Sequence, residues 1–398
     1  RQEPGRGCRS VSEKIGRTCE VSKMKRVLKS ILIISLCMGI GFLVGYVFGK
    51  IIDGNPVEHV QTDGGAEWKR ITLIIIITFL GVFVGGFVQL ITHEAGHLVC
   101  GLISGYKFVS FRVLNFTLLK EDNKFKVKEF SFGGTAGQCL LSPPDKPVDE
   151  APVVLYLLGG LLFNLFLSAI CFAIAIWATD DMYIRLFLCT TASIGAFLFI
   201  TNGIPMTVQG IPNDGYDVLH LRGNLKAKSA LLNILRTNAH MQGGSRPEEL
   251  PDECFAQVGE ANLTNSLEAN LAVLYISVLL QRGKISEAEA LSRRIIAESK
   301  VGILQSEAKM ELACILLNEG KSEEAMGLFD KKEMKEIEMA AKTQSSKQRF
   351  LFLRALRAEH DRPKAIEIFE RVQANKDKYL IKGEVAMDLD LMWNALNT

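Results

Sequence analysis

The chain is short of histidine, with six in 398 residues, and none of its nine cysteines forms a C-x-x-C pair. The cysteines are scattered, and Cys37, Cys171 and Cys189 lie inside apolar runs. That pattern argues against a disulfide frame or a thiolate metal site and for reduced, packing thiols. A charge imbalance is missing too, since a net charge of +2 gives no reason to expect a nucleic-acid partner. Methionine is absent before Met24, so residues 1–23 are expected to be upstream or non-native sequence and carry no fold argument. After Met24, "KRVLKSILIISLCMGIGFLVGYVFGK" has the basic start of a signal peptide but lacks a small-residue cleavage site, and its apolar part is too long. It reads as a retained membrane span.

Long apolar runs are what the chain does have. Hydrophobic residues make up 48%, and mean hydropathy is +0.18, above that of an ordinary soluble protein. Four segments, 27–49, 71–92, 153–178 and 183–203, reach the roughly 20 apolar residues that a helix needs to cross a bilayer. Lys23, Lys25, Arg26 and Lys29 precede the first, and basic residues return between the second and third, whereas the loops at 50–70 and 179–182 are poorer in them. By the positive-inside rule, both termini are expected in the cytoplasm, with the ends of the second and fourth spans at one face. Gly41, Gly45 and Gly49 in the first span, and Gly81 and Gly85 in the second, stand four apart. Small residues at that spacing let helices approach closely.

Between 107 and 132 the periodicity changes to two. "KFVSFRVLNFTLL" and "KFKVKEFSF" flank a polar "KEDN" turn, and Lys124, Lys126 and Lys128 alternate with Phe125 and Val127, which predicts a cytoplasmic β-hairpin. Such a hairpin can offer an edge strand to an extended peptide or lie on anionic headgroups of the lipid bilayer. "GGTAGQCLLSPPDKP" reads as a loop leading to the third span. Beyond Leu221 the chain turns soluble in character, "GGSRPEELPDE" reads as a linker, and helical patterns follow. "LQRGKISEAEAL" (280–291) and "LNEGKSEEAMGL" (317–328) match at a spacing of 37 residues, and "RAEHDRPKAIEIF" (357–369) is a weaker third copy. The glycine turn and following alanine at this period resemble a tetratricopeptide array, whose concave face would take a cytoplasmic protein partner; an irregular helical bundle is the alternative.

The chemistry concentrates in "ITHEAGHLVC", residues 91–100, at the end of the second apolar run. His93 and His97 are four apart, on one face of a helix, where two imidazoles can bind a single Zn2+. Glu94 then stands beside the metal, placed to take a proton from water and pass it to a leaving amine. Ionisable groups in a membrane-grade segment are costly enough to indicate function. A catalytic zinc site needs a third protein ligand. The best candidate is Asp214 in "ITNGIPMTVQGIPNDGYDVL", which the topology returns to the same face; Asp217 is its nearest competitor, with His220 behind.

"HEAGH" in one apolar helix, "GLLFN" in a later one and "NGIP…NDG" after the last make the chain resemble the site-2 protease family of intramembrane zinc metalloproteases, over spans two to four. The resemblance implies His93, His97 and Asp214 as zinc ligands and Glu94 as catalytic base. It implies that Asn164 orients substrate or stabilises the oxyanion, and it matches Asn202 and Pro205 to an N-x-x-P element near substrate. Asn202 and Asp214 stand farther apart here than in the compact family pattern.

The expected fold is therefore mainly α: a polytopic bundle of about four transmembrane helices with a small cytoplasmic β-hairpin, followed by a soluble α-helical repeat domain. Its segments are a basic N-terminal part (1–26), a membrane-embedded metalloprotease core (27–223), a helix and linker (224–260) and a tetratricopeptide-like domain (261–398). The expected activity is hydrolysis of peptide bonds in membrane-spanning or membrane-associated proteins or peptides, in a bacterial plasma membrane. A catalytically idle scaffold that recruits partners through its repeats is the alternative, although an intact H-E-x-x-H speaks against it. A third reading, a membrane-anchored zinc protease with a glutamate ligand, has only Glu121 and Glu129 to offer, both in the strand-like hairpin.

Overall fold

A computed structural model describes residues 64–121, 124–130, 136–208 and 211–397. The expected first span, 27–49, and its glycines lie outside the described residues. The described chain is mainly helical, with one small four-stranded antiparallel sheet. It falls into two compact units, one containing the described residues up to Gln89 with Leu165–Leu198, the other Leu90–Asn164 with the chain from Phe199 onward.

Among the described residues, three helices are long and apolar enough to cross a membrane: Glu67–Ile103, Val154–Trp177 and Met182–Gly203. The first consists of α1 (Gly64–Leu80) and α2 (Gly86–Ile103) joined through a π-helical turn, Gly81–Gly85; the others are α3 and α4. The first helix continues well past the apolar run that ends near Leu90. The H-E-x-x-H motif therefore lies inside a helix, not at its end. Phe79, Phe83, Phe166 and Trp177 all expose their rings.

In the first unit, Gly81 and Gly85 are buried against α4. A Cβ on Gly81 would lie 2.6 Å from Thr190 Cβ, and one on Gly85 2.9 Å from Thr191 Cβ, so this close approach needs both glycines. The two threonine hydroxyls donate to carbonyls one turn back, Leu186 at 2.8 Å and Phe187 at 3.0 Å. Neither hydroxyl is left unpaired by the contact.

In the second unit the sheet has the order β3-β2-β1-β4, with β1 Lys107–Val113, β2 Phe116–Glu121, β3 Lys124–Glu129 and β4 Gly137–Ser142. Two expectations are corrected here. The first arm of the anticipated hairpin is itself folded, pairing Val113 with Phe116 around a two-residue turn in which Leu114 has φ 52°. The segment read as a loop before the third span supplies β4, held by Cys139, Leu140 and Leu141 in a core with Tyr156, Leu157, Leu232 and Leu235. Side chains on both β4 and the helices cover one face, which is why this run of three apolar residues becomes a strand.

A short antiparallel pair, β5 (Thr207–Val208) with β6 (Ile211–Pro212), leads into α5 (Asp214–Leu221) and α6 (Leu225–Gly243). The expected linker is not loose: Pro247–Glu249 and Asp252–Cys254 form 3-10 turns, and Pro247, Leu250 and Cys254 are buried. Arg282 fastens it by donating to the Leu250 carbonyl at 2.9 Å. Eight further helices follow: α7 Ser266–Gln281, α8 Ile285–Glu298, α9 Gly302–Asn318, α10 Ser322–Gly327, α11 Lys331–Ala340, α12 Ser345–Leu353, α13 Arg362–Ala374 and α14 Lys382–Asn397.

The three related sequence segments fall on the turns between α7 and α8, α9 and α10, and α12 and α13. Each turn has one left-handed residue, Gly283 (φ 72°), Gly320 (φ 77°) and His360 (φ 55°). Five positions on, Ala288, Ala325 and Ala365 are each fully buried where the second helix meets its neighbours. Open space surrounds Gly320, so a Cβ there meets nothing but carries the left-handed backbone penalty. Gly320→Ala is expected to lower stability by about 1 kcal/mol, the cost of an L side chain in that region. Thermal unfolding in detergent measures this; an unchanged midpoint would show that the turn relaxes at no cost.

Candidate metal centre

Helix α2 places His93 and His97 one turn apart, and α5 brings Asp214 to them. Their donor atoms form a small triangle: His93 Nε2 to His97 Nε2 is 3.2 Å, His93 Nε2 to Asp214 Oδ2 3.3 Å, and His97 Nε2 to Asp214 Oδ2 3.5 Å. Donors bonded tetrahedrally to zinc at about 2.0–2.1 Å stand roughly 3.3 Å from one another. The three side chains therefore fit a zinc-sized ion, and they form the only His/Cys/Asp/Glu cluster of metal-binding geometry among the described residues.

The ring nitrogens on the far side strengthen this fit. His97 Nδ1 lies 2.8 Å from the Tyr156 carbonyl, to which it donates, leaving the Nε2 lone pair for a metal. His93 Nδ1 lies 3.3 Å from the Asn164 amide. Asn164 is fully buried and its Oδ1 has no hydrogen-bond partner. An imidazole that binds metal through Nε2 carries its proton on Nδ1, so the amide satisfies both groups when its oxygen faces the ring. Asn164 thus bears on His93, one of the candidate ligands, a different contact from the substrate contact that the sequence suggests.

Asp214 is held by its neighbours. Asn213 caps α5: its Oδ1 accepts from Tyr216 N at 3.0 Å and Met206 N at 3.1 Å, while Nδ2 donates to the Thr201 and Ile204 carbonyls, both at 2.7 Å. All four hydrogen-bonding positions of one side chain are used to tie α5 to the end of α4. Gly215 completes the junction, since a Cβ there would strike the Gly203 carbonyl and come within 2.9 Å of the Asn202 carbonyl oxygen. Asn202 is therefore placed where its backbone supports the Asp214 segment. Burial works to raise the Asp214 carboxyl, but hydrogen bonds with His93 and His97 outweigh it and hold the group at about 2.

Space for the imidazoles comes from missing side chains. At Gly96 and Gly159 the backbones of α2 and α3 touch: a Cβ on either would strike the other's carbonyl group. A Cβ on Gly160 would fall 2.5–2.7 Å from atoms of both histidine rings. Gly137, at the start of β4, lies against Glu94, and a Cβ on it would fall 2.7 Å from Glu94 Cγ. The Tyr156 hydroxyl donates to the Cys139 carbonyl at 3.2 Å, joining that strand to α3. Arg112 on β1 is buried, which lowers its guanidinium, while the charge of Glu94 works the other way.

The competing ligands lie outside the triangle. His220 stacks on Tyr216 at 3.6 Å between ring centroids and pairs Nδ1 with the Tyr216 carbonyl at 2.9 Å. Asp217 is absent from the cluster. Burial, then the nearby Asp214 charge, push its carboxyl up to about 7. Glu121 and Glu129 end strands β2 and β3. Asn213, Gly137 and Arg112 were not singled out from the sequence. Asn213 had a usable signal, an Asx residue directly before a short helix; the other two had none.

Gly160→Ala is expected to displace the rings and weaken metal binding at least tenfold, and Asn164→Ala to weaken it about 10–100-fold, the usual range for a group behind a metal ligand. Competition against a chromophoric chelator reads both effects; affinities equal to wild type would remove these residues from the centre. No family model, curated protein or solved structure matches the chain.

Proposed function

We propose that the protein is an intramembrane zinc metalloprotease, similar to the site-2 proteases, that cuts membrane-spanning or membrane-associated proteins or peptides. The observation that carries this reading is the meeting of His93, His97 and Asp214, with Glu94 next to the first ligand on the same helix. Three apolar helices and their exposed aromatic side chains support a polytopic membrane protein. The distribution of lysine and arginine supports cytoplasmic termini, and the resemblance to site-2 proteases is the ground for a bacterial plasma membrane.

In this reading His93, His97 and Asp214 hold Zn2+, which supplies Lewis acidity and makes water nucleophilic near neutral pH. Tyr156 and Asn164 fix the two imidazole tautomers. Glu94 takes the proton of the attacking water and returns it to the leaving amine. Polar groups at this depth also keep water within an otherwise apolar region, which peptide hydrolysis requires. Asn202 stays assigned to the substrate side by resemblance. The C-terminal helix pairs are proposed as tetratricopeptide-like repeats on the strength of their three matching turns and buried alanines, and as the surface for a cytoplasmic protein partner.

Glu94→Gln is expected to keep zinc while losing turnover by about 100-fold or more, the contribution of a positioned general base. His93→Ala should lose zinc and activity together. Elemental analysis and cleavage of membrane-anchored substrates check both. Equal cleavage by wild type and Glu94→Gln would remove Glu94 from the mechanism, and metal-free wild type would leave the idle scaffold as the better account.

A further inference from the structure

A groove of about 520 Å3 in the second unit is lined by Pro212, by Asp217 and by side chains of α6, α7, α9, α12 and α14. Asp217 lies one helical turn beyond Asp214, so the groove and the metal centre share α5. None of the lining residues is lysine or arginine, whereas Asp217, Glu307, Glu311 and Glu384 bring four carboxylates. Asn238, Asn270 and Gln344 contribute amides, which can both donate to and accept from an extended backbone. Leu274, Ile303 and Leu304 provide apolar surface between them.

The carboxylates are not equally satisfied. Arg349, buried behind the wall, holds Glu311 through two contacts of 2.7 Å, and Lys347 pairs with Glu307. No ion pair fixes Asp217 or Glu384 among the described residues. Burial raises both carboxyls above the usual carboxylate range, helped by Asp214 in one case and Asp388 in the other; at Glu384 a hydrogen bond from Ser346 and the Lys347 charge offset this only in part. A cation entering the groove relieves both.

We propose that this groove receives the basic flank of the substrate, an extended lysine- or arginine-rich segment with apolar side chains, and holds the chain while the scissile bond lies at the metal centre. This rests on the protease reading, because membrane-spanning proteins carry their lysine and arginine on the cytoplasmic side, where that reading places the helical region. The groove then supplies a charge-based selection that the metal centre, contacting only the peptide unit, does not.

The test uses the full chain in detergent as Glu94→Gln, with two fluorescent peptides of equal length, one of lysine and leucine, the other of glutamate and leucine. Anisotropy is expected to show the basic peptide binding at least tenfold more tightly, and Glu384→Gln or Asn270→Ala weakening it about tenfold, as for loss of one buried contact. Equal affinity for the two peptides, or affinity unmoved by both substitutions, overturns the proposal. Basic-peptide binding that appears only after residues 1–23 are removed would make the chain's own N-terminal segment the occupant and overturn the substrate assignment. In a second arm, Glu384→Gln with Glu94 intact should raise KM about tenfold for a membrane-anchored substrate with a basic flank and leave kcat unchanged. An unchanged KM overturns the proposal. If wild type cuts no substrate, the protease reading falls, while the binding arm still decides whether the groove takes a basic chain.

Discussion

At Gly96 and Gly159 two helix backbones touch, and the candidate metal centre depends on that contact. With any side chain at either position α2 and α3 would be forced apart. His97 would then lose the Tyr156 carbonyl, His93 would lose Asn164, and neither ring would keep the tautomer that offers Nε2 to a metal. Close backbone approach through glycine is a common device where apolar helices have no solvent to drive them together. Here it has a second result. Gly160, the next residue on α3, leaves the volume that the two imidazoles fill.

The third candidate ligand, Asp214, depends on a different constraint, the junction of α4 with α5. Asn213 spends its whole hydrogen-bonding capacity there, and Gly215 lets the first turn of α5 rest on the Gly203 carbonyl. Asp214 therefore faces the histidines from the first turn of a capped helix, the condition for a preorganised site. Polar groups behind the two histidines are also committed to a role. Tyr156 shows this economy, since its carbonyl serves His97 while its hydroxyl holds β4 beside Glu94.

Much of this was legible in the sequence because it depends on helical periodicity and on rare residues. Two histidines four apart in an apolar run, a later Gly160…Asn164 and a distant Asp214 needed only a helix and a return to the same face to meet. The three long apolar helices were legible for the same reason. Local strand structure was not. Leu114 takes a left-handed backbone in a two-residue turn, a place where glycine or asparagine would have announced a hairpin. β4 was hidden in a stretch rich in glycine and proline, and became a strand only because α3 and α6 bury Leu140 and Leu141. The supposed linker after α6 reads as loop by composition, yet Leu250, Cys254 and Phe255 join the hydrophobic core there. Tertiary burial outweighed local preference in both cases.

The central claim is that His93, His97 and Asp214 share one zinc ion. X-ray absorption at the zinc edge, on protein purified in detergent, tests it most directly. The account predicts one ion per chain with a nitrogen and oxygen shell at about 2.0–2.1 Å, two imidazoles in its outer scattering, and loss of that shell in Asp214→Asn. A sulfur shell, or an unchanged spectrum in Asp214→Asn, would contradict it.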